Sequence, residues 1–285
     1  MFMRKRYPAV AGTFYEASKD KLISRIEWAF KHPFGPGDLP KISSSRDPRI
    51  KLFISPHAGY IYSGPVASHV YYKIASGGNP GVFIIAGPNH TGMGSLVATT
   101  LDVVWETPLG SVEVDREFAR EIMRNSSYLD DDLTAHYSEH SVEVQIPFLQ
   151  YIFGRDFKII PIVMMLQRPE VAKDLAKAIT EASNRLGRDF VYIASSDWTH
   201  YEPHEIAYKK DMEALKYVEN LDLENFYKYI ESTGHTACGI GPIMLFIELA
   251  KKLDFSKGQI LKYATSGDVT GEKDWVVGYA AVTAV

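Results

Sequence analysis

From residue 50 onward, short apolar runs alternate with stretches of helical period, and that alternation is what most limits the folds open to this chain. The runs at 50–55, 82–87, 158–164, 190–194 and 259–265 are each four to eight residues long and rich in Ile, Val and Phe. Helical patterns at 64–75, 115–125, 139–153, 169–186, 204–219, 222–231 and 241–253 separate most of them. Strands alternating with helices predict an α/β domain around a mainly parallel or mixed sheet. Residues 95–114 interrupt the rhythm as an antiparallel excursion with a Pro108-Leu109-Gly110 turn. A further helix is expected near Asp20–His32, followed by a Pro-, Gly- and Ser-rich surface loop over Pro33–Asp47. The segment before that loop is too short for a domain of its own, so residues 1–285 are expected to form a single domain.

Four of the strands stop at polar clusters. These are Ser55-Pro56-His57-Ala58-Gly59-Tyr60, Gly87-Pro88-Asn89-His90, Ser195-Ser196-Asp197-Trp198-Thr199-His200 and Thr265-Ser266-Gly267-Asp268. Open α/β sheets bind ligands outside the carboxyl ends of their strands, so polar clusters repeated there point to a built site. One histidine at a strand end is commonly structural. Two in successive βα units, His57 and His90, suggest a shared metal. Cys238, the one cysteine, lies in Gly234-His235-Thr236-Ala237-Cys238-Gly239 ahead of another helix and is the natural third ligand. A His-His-Cys set suits copper, zinc or iron. A helix start beside flexible glycines is expected to lower the Cys238 pKa toward thiolate; the bland alternative is an inert core cysteine.

His136-Tyr137-Ser138-Glu139-His140 matches the H-x-x-E-H pattern of one zinc-peptidase group, but the Asp130-Asp131-Asp132 loop before it argues against a common helical face. His140 and Glu143 on a first helical turn are the better pair, with both side chains reaching the pocket. Asp197 can orient a metal-bound histidine, and His200 can shuttle protons. Trp198 and Tyr201 either wall a substrate or cap the core. No nucleophile elbow, Walker sequence or G-x-G-x-x-G is present, so nucleotide cofactors are not expected.

Composition sets outer bounds. Net charge is −4 with both signs interspersed, which gives no footprint for nucleic acid or an anionic membrane. The short Arg4-Lys5-Arg6 run reads as a solvated end. No apolar run approaches the roughly 20 residues of a membrane span, and no secretory leader is expected. A lone cysteine fits a reducing cytoplasm. Oligomeric state is left open.

Pro56-His57-Ala58-Gly59-Tyr60, Gly87-Pro88-Asn89-His90, Glu139-His140-Ser141-x-Glu143, Ser195-Ser196-Asp197-x-x-His200 and Thr236-x-Cys238-Gly239 occur in that order. Together with Ala11-Gly12-Thr13-Phe14-Tyr15 and Gly278-Tyr279-Ala280-Ala281 they resemble the Memo (mediator of cell motility) family over nearly the whole chain. The resemblance implies the α/β fold of class III extradiol dioxygenases, which hold non-haem iron(II) with two histidines and a glutamate. By that resemblance His57 and His90 match the two histidines, and Cys238 stands in place of the glutamate. A thiolate there softens the site and counts against ring cleavage. Animal Memo proteins imply copper-dependent redox activity and phosphotyrosine-peptide binding. The expected function is therefore a metal-dependent, oxidoreductase-like activity on an unknown substrate, with copper or iron ahead of zinc. The alternatives are a non-enzymatic peptide- or phospholigand-binding protein and a zinc hydrolase.

Overall fold

The strand at the middle of the sheet, Val82–Pro88, is buried at every residue, as are Val191–Ser195 beside it and Leu52–Ser55 one strand further on. Strands covered on both faces read as unbroken apolar runs, and each fully buried Ile, Val or Leu contributes roughly 1.5–3 kcal/mol. The computed structural model describes residues 4–285. In chain order the elements are β1 (Arg4–Arg6), α1 (Lys19–Lys31), β2 (Leu52–Ser55), α2 (Tyr60–Ser76), β3 (Val82–Pro88), β4 (Val97–Thr99), β5 (Val103–Thr107) and β6 (Gly110–Val114). There follow α3 (Arg116–Asn125), β7 (Asp130–Asp131), α4 (Ile146–Phe153), β8 (Lys158–Met164), α5 (Pro169–Leu186), β9 (Val191–Ser195) and β10 (His200–Glu202). The chain continues through α6 (His204–Glu219), α7 (Leu223–Thr233), α8 (Ile240–Lys252), β11 (Gly258–Thr265), α9 (Ser266–Thr270) and β12 (Val276–Ala284).

The strands form one mixed sheet of order β1-β5-β6-β8-β3-β9-β2-β12-β10, with β11 on β12, and β4 bridging β8 and β7. From β6 through β8, β3 and β9 to β2 all pairings are parallel; β12 runs antiparallel to β2. Helices α1, α2 and α4 pack on one another, and α3, α5, α7 and α8 form a second connected group. α2 lies against β2 and β12, and α8 against β2, β3 and β9. This is a single α/β domain with a mixed sheet flanked by helices. Among the described residues no helix is long and apolar enough to cross a membrane.

Local chemistry sets the boundaries. α5 starts on Pro169, whose missing N–H costs nothing at a first turn, and stops at Gly187, in the left-handed region with φ 60°. Asp115 caps α3 by accepting the Phe118 N–H. Two expectations need correction. The helix read across 139–153 begins only at Ile146, after a short 3-10 turn at Glu143–Gln145, so His140 sits in a turn. The basic run at 4–6 is no solvated end throughout: it forms β1, pairs parallel to β5, and buries Arg6 completely.

Candidate metal centre

β3, β9 and β2 are adjacent parallel strands, so their carboxyl ends face one way and deliver His90, Asp197 and His57 to one region. Ring nitrogens of His57, His90 and His140 lie within 4.8 Å of one another. The third member comes from the turn before α4, which approaches β3 closely. A Cβ on Gly87 would stand 2.3 Å from the Ser141 Oγ, so that strand end must be glycine for His140 to arrive. Exposure is graded: the side chains of His57, His140 and His90 are 2%, 20% and 35% exposed, from floor to mouth.

The surrounding hydrogen bonds dictate which nitrogens face inward. Ser195 donates its hydroxyl to the Ser141 carbonyl at 2.6 Å and accepts from Gln145 Nε2 at 2.8 Å. Its remaining contact, 2.9 Å from His57 Nδ1, is then an N–H donated by the ring. Glu139 accepts from His90 Nδ1 at 2.9 Å, and the Thr236 carbonyl accepts from His200 Nδ1 at 2.9 Å. Carboxylates and carbonyls only accept, so these tautomers are assigned by the network and leave the lone pair of each ring on Nε2. Pinning one ring nitrogen to a carboxylate or carbonyl is how proteins prepare imidazole to bind a metal through the other.

Burial sets the charge states. It pushes His57 well below the usual imidazole range, reinforced by His140 and His90, and it lowers His140 to about 4. Burial raises Asp197 to about 6, against the pull of the His57 N–H that it accepts at 2.8 Å. Burial would also raise Glu139, but the hydrogen bond from His90 and that residue's charge prevail and hold it near 2. Near neutral pH the His57 and His140 imidazoles are neutral and Glu139 is ionised.

Cys238 Sγ lies 3.2 Å from His57 Nε2 and accepts the Asp197 N–H at 3.3 Å, but it is not in the mutually close group, where His140 takes the third position. Burial pushes its thiol up, contrary to the expected lowering, because desolvation outweighs the helix start. Asp197 Oδ2 is 3.9 Å from His57 Nε2. His200 is half-buried beside the centre. Glu143 is placed differently from the expectation. Its carboxylate is fully buried, pairs with Arg6, and accepts from Ala9 N (2.8 Å), Val10 N (3.1 Å) and Tyr15 OH (2.5 Å), so it is turned into the N-terminal segment and not the pocket. Trp198 is a core residue, whereas Tyr201 bulges outward at φ 58° and 68% exposure. His136 is buried against Trp105, away from the imidazole group. Glu139, Ser195 and Gln145, which support the rings of His90 and His57, were not assigned roles from sequence; the adjacency of Glu139 to His140 was the available sign.

The model of the family described as Memo-like protein matches residues 6–283. The chain belongs to the Memo family. MEMO1 family proteins of Saccharolobus solfataricus and Saccharolobus islandicus are 53% and 52% identical over 97% of this chain and 98% of their own. The MEMO1 family protein of Ignicoccus hospitalis is 49% identical over 98% of both chains. Among solved structures, that of the uncharacterized protein JW3007 from Escherichia coli K12 covers 81% of this chain and 98% of its own, with 11% identity and a TM-score of 0.44. This Memo protein thus carries a three-histidine cluster that could bind a metal ion.

His140 is lowered in the folded state, so its contribution is fully present above about 6.5 and is lost as pH falls toward about 4. Asp197 is raised, so its contribution is fully present below about 3.8 and is lost as pH rises through about 6. The two oppose each other between these limits. Asp197→Asn should therefore expose the histidine effect, and stability should fall more steeply from pH 6.5 to 4 in the variant than in wild type. Chemical unfolding at several pH values checks it, and parallel curves would sink it.

Proposed function

We propose that this Memo protein is a metal-dependent oxidoreductase whose metal is held by the inward nitrogens of His57, His90 and His140, with the Cys238 sulfur as a further donor. The observation that carries the reading is the cluster of ring nitrogens within 4.8 Å, with the outer nitrogens of His57 and His90 tied to Ser195 and Glu139. Copper or iron fits best, because imidazole serves both and a thiolate shifts the balance toward copper. When bound, such a metal supplies electron transfer and Lewis acidity. The protein's own groups do the rest. Ser195 and Glu139 orient the rings. Asp197, poised near 6 and 3.9 Å from His57 Nε2, can hold or release a proton beside the centre. His200, with Nε2 free, can take a proton on the exposed side. Its substrate is a small molecule admitted past His90. A lone thiol suits a reducing compartment, and we place the protein in the cytoplasm.

The test is metal analysis of protein purified without chelator, followed by oxygen uptake with a reductant. About one copper or iron per chain and metal-dependent uptake are expected. Absence of stoichiometric metal overturns the reading. A second reading rests on Asp197: with zinc bound and no oxygen uptake, that carboxylate is placed to act as base on a metal-activated water in a hydrolase.

A further inference from the structure

Two loops bring Asp197, His200 and Cys238 to the centre, and one carboxylate outside the pocket ties them together. Asp211, on α6, is fully buried. Its Oδ1 accepts the Thr199 N–H at 3.0 Å, the Thr199 hydroxyl at 2.6 Å and His235 Nε2 at 2.9 Å. Its Oδ2 accepts the Tyr263 hydroxyl at 2.6 Å. His235 Nδ1 accepts the Ala237 N–H at 3.1 Å, which assigns the ring proton to Nε2, facing Asp211. The backbone of β12 makes room for this group: a Cβ on Gly278 would stand 1.9 Å from Asp211 Oδ2.

Both loops continue directly into the site. Thr199 lies between Asp197 and His200, and His235 begins the turn that ends in Cys238. Thr236 closes the pair by accepting the His200 N–H at 2.7 Å on its hydroxyl and His200 Nδ1 at 2.9 Å on its carbonyl. Further along, Cys238 donates its N–H to the Asp197 carbonyl at 3.3 Å and receives the Asp197 N–H on sulfur at 3.3 Å. A buried charge is costly unless fully hydrogen-bonded, and most of the bonds that satisfy this one go to the two site loops.

We infer that Asp211 is a positioning residue of the metal centre, setting, through Thr199 and His235, where the Cys238 sulfur stands relative to the imidazoles. The inference rests on the proposed ligation by Cys238 and deepens it: the sulfur enters the ligand set because a carboxylate outside the pocket holds its turn.

Anaerobic titration of the full chain with cobalt(II) tests it, reading affinity, the ligand-field bands and the sulfur-to-cobalt charge-transfer band. In wild type both kinds of band are expected. In Asp211→Asn the charge-transfer band should fall by at least half and affinity by about 10-fold, while far-UV circular dichroism is retained. His235→Leu should behave likewise, and His235→Gln, which keeps an N–H toward Asp211, should recover much of the band; this pair decides the matter if Asp211→Asn does not fold. Tyr263→Phe removes a bond to the same carboxylate outside both loops, so it should lower stability and leave the band intact. Folded Asp211→Asn or His235→Leu with wild-type band and affinity overturns the inference, as does loss of the band in Tyr263→Phe. A wild-type complex without the charge-transfer band instead overturns ligation by Cys238, and this inference with it.

Discussion

His57→Ala should abolish stoichiometric metal binding. His57 is the floor of the imidazole group, and its Nε2 is within reach of both the Cys238 sulfur and the Asp197 carboxylate. It also has the most elaborate support, because Ser195, Gln145 and the Ser141 carbonyl all serve to hold one ring orientation. Changing a group that merely orients a ligand costs roughly 10–100-fold in metal affinity, so deleting this ligand should cost more than about 100-fold. Copper(I) and iron(II) titrations of both proteins check it. Any metal that binds only the folded state also raises the melting temperature by mass action, and His57→Ala should lose that rise. An affinity within tenfold of wild type would place the metal elsewhere.

The second large effect concerns stability, at the residue the sequence assigned to the pocket. Glu143→Ala should destabilise the fold by about 3–5 kcal/mol, because it strands the buried Arg6 guanidinium without its counter-charge. Arg6→Ala should do the same from the other side, leaving the carboxylate with neutral donors only. Arg6 also donates to the His136 carbonyl at 3.0 Å and the Glu139 carbonyl at 2.5 Å, so it anchors the segment that carries His140. Denaturant unfolding measures the loss. A midpoint and slope unchanged in both variants would show that the pair contributes nothing.

The scaffold was legible because its signals are local. β3 and β9 are continuous apolar runs, and α5 and α6 have readable periods and ends, so the order of elements and the polar clusters at the strand ends followed from the sequence. What could not be read depends on partners far along the chain. Arg4-Lys5-Arg6 has no apolar pattern, and only its pairing with β5 and the Glu143 carboxylate, 137 residues away, makes it a strand. Glu139 and Glu143 flank the same turn with the same chemistry. Which one supports His90 and which one closes the N-terminal segment is decided by the turn that replaces the expected helix, and that turn also brings in His140. The Cys238 thiol was misjudged because sequence shows the helix start and not the desolvation. Asp211 did leave a trace: Ala207, Ala214, Leu215 and Val218 mark the buried side of α6, and Asp211 falls on it.

The placement of β12 has a kinetic consequence. It lies between β2 and β10 and also carries β11, and Thr283 reaches the Leu52 carbonyl across 231 residues of chain. Joining positions so far apart requires closing a very large loop before any contact rewards it, and chains dominated by such pairings fold slowly. Pairing β2 with β12 closes a longer loop than pairing it with β9, so in a refolding chain that forms the β2–β9 pair first the edge beside β2 stays open until β12 docks. During that interval the carbonyls and amides of β2 are available to any other extended segment, so crowding of the refolding chain should favour aggregation over recovery.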